Sequence, residues 1–74
     1  MSWFEIEFDY QGNAPTASKT HSFCIEDLGY DAENVEKVGP IRVKIDGSSK
    51  KNILSYINGQ LPKTRLGTEY TSAK

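Results

Sequence analysis

From Trp3 to Tyr10 the chain alternates without a break: Phe4, Ile6, Phe8 and Tyr10 fall on one side, Trp3, Glu5, Glu7 and Asp9 on the other. Such a period of two commits the segment to a strand with one buried and one solvated face. The buried face must be covered by another layer, and 74 residues leave room for one small domain to supply it.

Further along, Ile41, Val43 and Ile45 alternate with Arg42, Lys44 and Asp46, predicting another strand that Asp46-Gly47 turns. Ser48 or Ser49 then caps a helix whose apolar stripe is Ile53, Leu54, Ile57 and Leu61, with Asn58-Gly59 and Pro62 as its stop. Between these lie two weaker segments. Lys19 to Ile25 reads as a strand, diluted by Thr20 and Ser22. As a hairpin partner of the first strand it sets Phe8 opposite His21, Ile6 opposite Phe23 and Phe4 opposite Ile25, because a slip by one residue would turn its apolar set outward. Cys24 then falls on the outer face, across from Glu5. Asp31 to Val38 reads as a short helix with Asp31 as N-cap, since Val35 and Val38 are three apart.

These elements give an α+β domain: a small antiparallel or mixed sheet of three strands, or four, with one or two short helices on one face. Residues 1–62 form the compact unit. Residues 63–74 form a polar tail, either flexible or an edge strand built on the alternation of Leu66, Thr68 and Tyr70. The expected core is Phe4, Ile6, Phe8, Tyr10, Phe23, Ile25, Leu28, Val35, Val38, Ile41, Val43, Ile45, Ile53, Leu54, Ile57 and Leu61, a small set for a chain of this length.

The residue inventory removes several chemistries. No apolar run approaches the length of a membrane span or of a leader's apolar segment, so a soluble cytoplasmic protein without membrane contact is expected. One Cys and one His cannot complete a zinc shell, and the calcium-loop pattern is missing, so no metal is expected. On a strand, His21 and Cys24 face opposite sides and cannot act as base and nucleophile. Glu5, Glu7 and Asp9 share a strand face, but so small a sheet offers no cleft for paired-carboxylate chemistry. Asp46-Gly47-Ser48-Ser49-Lys50-Lys51 lacks the spacing of a phosphate-binding loop and reads as a turn with a Ser cap. The expectation is therefore no enzyme, no catalytic residue and no cofactor.

Charge is divided along the sequence. Up to Glu36 there are eight acidic residues against Lys19 alone; beyond it there are eight basic residues against Asp46 and Glu69. Two readings stand. If the first strand neighbours the one bearing Arg42 and Lys44, the charges pair across strands with little functional meaning. If the two signs occupy separate surfaces, they form recognition patches.

The second reading makes the chain a non-catalytic protein-binding domain, a small adaptor or inhibitor that covers a surface of a larger protein, of the kind viruses encode against host machinery. Its contact residues would be Trp3, Glu5, Glu7, Arg42, Lys44, Lys50, Lys51, Lys63 and Arg65, with Trp3 as an exposed anchor. A nucleic-acid-binding accessory protein using the basic half, or a homo-oligomeric structural subunit, are the alternatives.

Overall fold

The computed structural model describes residues 2–63 and 69–74. Strand β1 (Ser2–Gln11) leads to helix α1 (Ala17–Glu26), a single 3-10 turn at Ala32–Asn34, β2 (Val35–Gly39) and β3 (Arg42–Gly47). Helix α2 (Lys50–Gln60) follows, then a 3-10 turn at Leu61–Lys63 and β4 (Glu69–Ala73). The sheet has the order β2-β3-β1-β4, with every neighbouring pair antiparallel. β1 and β2 are thus parallel to each other with β3 inserted between them, and β3 and β4 likewise flank β1. This interlocking of two β-α-β units is the split β-α-β plan of ferredoxin-like domains.

The alternation in β1 and β3 has the consequence read from sequence. Phe4 pairs with Ile45 and Ile6 with Val43, so the apolar faces of two central strands coincide. Both helices cover that face. Ile6, Phe8, Val43 and Ile45 are fully buried with Phe23 and Cys24 from α1 and Ile57 from α2. Phe8, Phe23 and Tyr70 form the aromatic centre, the Phe23 and Tyr70 rings 4.3 Å apart.

Four expectations are corrected. Lys19–Ile25 is helical, so the hairpin with His21, Phe23 and Ile25 opposite β1 does not form. The Thr16 hydroxyl accepts from the Lys19 N–H at 3.1 Å and starts α1, and Thr20, Phe23 and Cys24 recur at helical spacing on its buried side. Cys24 therefore sits in the core, away from Glu5. Gly29, at φ +84, lets the chain turn back after α1.

The helix expected over Asp31–Val38 is one 3-10 turn followed by β2. The two valines are not on one helical face: Val35 is buried, whereas Val38 sits at a bulge in the pairing with β3 and is exposed. The stop expected at Asn58-Gly59 also fails, because α2 runs to Gln60 and the Asn58 side chain is engaged elsewhere. Ser49 is the cap of α2, its hydroxyl accepting from the Asn52 N–H at 3.1 Å. Of the expected core, Val38 and Tyr10 are exposed, while Thr20, Cys24, Tyr70 and Ala73 are buried without having been foreseen. Glu69–Ala73 adds to β1 as an edge strand; Leu66 and Thr68 lie outside the described residues.

Candidate functional site: the open face of the sheet

With both helices on one side, no described helix covers the other face of the sheet. Its residues follow from the register. Glu5 and Glu7 of β1 lie directly opposite Lys44 and Arg42 of β3, and Lys44 in turn lies opposite Glu36 of β2. Residues opposite one another in an antiparallel pair share a face, so acidic and basic rows alternate strand by strand. Arg42 holds both carboxylates, with Nη1 3.6 Å from Glu5 and Nη2 3.7 Å from Glu7. On the other side of β1, Lys74 lies 3.6 Å from Asp9, which also accepts a 3.0 Å hydrogen bond from the Ser72 hydroxyl.

The separate-surface reading of the charge split is overturned here. β3 is the strand next to β1 because α1 and β2 together carry the chain past it, which brings the basic half beside the acidic half. Arg42 therefore offsets part of the charge of Glu5 and Glu7 on an exposed surface, where each pair contributes about 0–1 kcal/mol. Lys44 is exposed and makes no ion pair among the described residues.

The remaining candidate residues do not join this group. Lys50 and Lys51 are exposed at the start of α2, in the helical layer. The Ser49 hydroxyl beside them is taken by the helix cap. The Lys63 side chain and Arg65 lie outside the described residues. What the open face does present is Trp3, 47% exposed, paired across the strands with Asp46 and one place along from Lys44. Asp46 keeps one carboxylate oxygen, Oδ1, buried without a hydrogen-bond partner among the described residues.

In the helical layer, the Cys24 thiol is pushed up to about 12 by burial and so stays protonated at neutral pH. His21, three residues earlier on the same helix, directs Nε2 to the Val35 carbonyl at 3.2 Å. His21 and Cys24 therefore do not lie on opposite faces of a strand, as expected from sequence, but three apart on one helix. Tyr30, packed edge-on against Tyr56 at 5.7 Å, is likewise pushed up to about 12, chiefly by burial. Among the described residues no group of three or more His, Cys, Asp or Glu could hold a metal ion. No described helix is long and apolar enough to cross a membrane.

Comparison with protein-family models, with curated proteins and with solved structures found no match for this chain. The split β-α-β plan serves many unrelated functions, so the topology itself assigns none.

Proposed function

We propose that this chain is a non-catalytic protein-binding domain, an adaptor or inhibitor that covers a surface of a larger protein with the open face of its sheet. The observation that carries the reading is Trp3, half-exposed on a sheet face that no described helix covers. Tryptophan in such a place supplies a large, rigid contact area and is enriched among residues that dominate binding energy. The paired charges around it form a polar rim that orients a partner more than it attracts one. Phosphate binding by the same face is disfavoured, since Arg42 already faces two carboxylates.

Affinity capture with the wild type, Trp3→Ala and Lys50→Ala/Lys51→Ala tests the reading. A protein retained by the wild type and the lysine variant but lost with Trp3→Ala is the expected result. Capture unchanged by Trp3→Ala, or salt-sensitive retention on duplex DNA lost with the lysines, would overturn it.

A further inference from the structure

Each helix sends a polar side chain to the backbone of the edge strand that follows it, and these two backbone contacts have the same consequence. On β4, the N–H and C=O of Ala73 point away from β1, because the neighbouring Glu7–Lys74 pair exchanges both its backbone hydrogen bonds at 2.8 Å. The Asn58 carboxamide meets both groups. Its Nδ2 donates to the Ala73 carbonyl at 3.1 Å, and its Oδ1 accepts from the Ala73 N–H at 2.9 Å. One side chain thus presents the donor and acceptor that a further strand would bring. On β2, the outward N–H of Val35 goes to the Ala32 carbonyl, and the outward carbonyl to His21 Nε2 at 3.2 Å. The rest of that edge carries Lys37 and the Val38 bulge, two devices that discourage strand addition.

We propose that Asn58 is an edge lock: it occupies the place on β4 that a strand from a second copy would take, and so keeps the sheet at four strands. His21 acts in the same sense on β2. The lock confines contact with other molecules to the faces of the sheet and helices. Without it, β4 is the edge that opens, because Asn58 is exposed and its removal leaves both Ala73 groups directed at solvent.

The test is sedimentation over a wide concentration range, with amide hydrogen exchange at Ala73, for the wild type, Asn58→Ala and Asn58→Asp. The aspartate keeps an acceptor for the Ala73 N–H but repels its carbonyl. The wild type is expected to remain monomeric with the Ala73 amide protected. A folded Asn58→Ala is expected to exchange that amide about tenfold faster when dilute. At high concentration it self-associates, and protection at Ala73 returns as a second β4 pairs with it. Asn58→Asp behaves in the same direction. A wild type that itself associates through β4, or a folded variant that stays monomeric with Ala73 unprotected, would overturn the proposal. So would unfolding of both variants, which would assign Asn58 to the stability of the fold alone.

Discussion

The Thr20 hydroxyl on α1 and the Tyr70 hydroxyl on β4 lie 2.8 Å apart in the core. Thr20 Oγ1 also donates to the Pro40 carbonyl at 2.5 Å, which leaves Tyr70 as the donor to Thr20. This short chain of hydrogen bonds joins the last strand, the first helix and the β2–β3 turn. Tyr70 sits there with its pKa raised, chiefly by burial.

The chain of donors makes the two ends unequal. Thr20→Val keeps the shape but strands both the Tyr70 hydroxyl and the Pro40 carbonyl, at a cost of about 2–4 kcal/mol. Tyr70→Phe removes one donor and leaves Thr20 bonded to Pro40, at a cost of about 1 kcal/mol. Urea unfolding of the two variants should preserve that order. An equal or reversed cost would show that the relay does not run through Thr20.

Thr20 also shows where the sequence stopped being legible. β1 and β3 were readable because each keeps its own period of two, which needs no knowledge of neighbours. α1 was not, because its buried stripe of Thr20, Phe23 and Cys24 includes a hydroxyl whose partners lie at Pro40 and Tyr70, far along the chain. The local signal that could have found the helix was Thr16, a residue type that favours the cap, four places before Thr20. The candidate site failed for a related reason. The charge split is visible in the sequence, but its meaning depends on β3 lying beside β1, which the helix crossing decides. Trp3 was legible as a residue of the solvated strand face because its side follows from the alternation alone; its exposure was not, since the alternation does not say whether the tail covers it.

That cap gives the second prediction. Thr16→Ala leaves the Lys19 N–H without its 3.1 Å partner, and Ser49→Ala does the same for Asn52. Each should lower stability by about 1 kcal/mol in thermal or urea melts, with Thr16→Gly milder than Thr16→Ala.

Cys24 sets a third expectation, in alkali. Its folded pKa is about 12 against 9.0 for the free thiol, because burial disfavours the thiolate. Below pH 9 both states hold the proton and the group leaves stability independent of pH. Above it the unfolded thiol ionises first, so stability falls by up to about 1.4 kcal/mol per pH unit until the folded thiol also ionises. Cys24→Ala should start less stable, having lost buried volume, but hold its urea midpoint between pH 9 and 10, where the wild type declines. Parallel curves for the two proteins would contradict this. Alkylation of Cys24 in the native protein should also be slow and accelerate with urea.

Arg42 lies half-exposed at 3.6 and 3.7 Å from Glu5 and Glu7, so its contribution is electrostatic and open to solvent. Arg42→Ala should cost no more than about 1 kcal/mol at low ionic strength. The loss should shrink at high salt, where interactions between exposed charges are screened. Arg42→Glu, which adds a third carboxylate opposite Glu7, should cost more, and its cost should also fall as salt rises. A large, salt-independent loss in Arg42→Ala would mean that its aliphatic stem, and not its charge, is what the sheet uses.

Lys50 and Lys51 open α2 at the end of the helix where the backbone N–H groups make positive charge unfavourable, and no acidic residue occupies that first turn. The fold does not need them there. Lys50→Glu, with the Ser49 cap intact, should therefore raise stability by about 0.5 kcal/mol at low salt, and the gain should diminish on adding salt. Thermal melts of Lys50→Glu, Lys50→Gln and the wild type separate the effect, since the neutral variant should fall midway. A loss of stability in Lys50→Glu would show that the ammonium group is held by a contact stronger than its repulsion from the helix end.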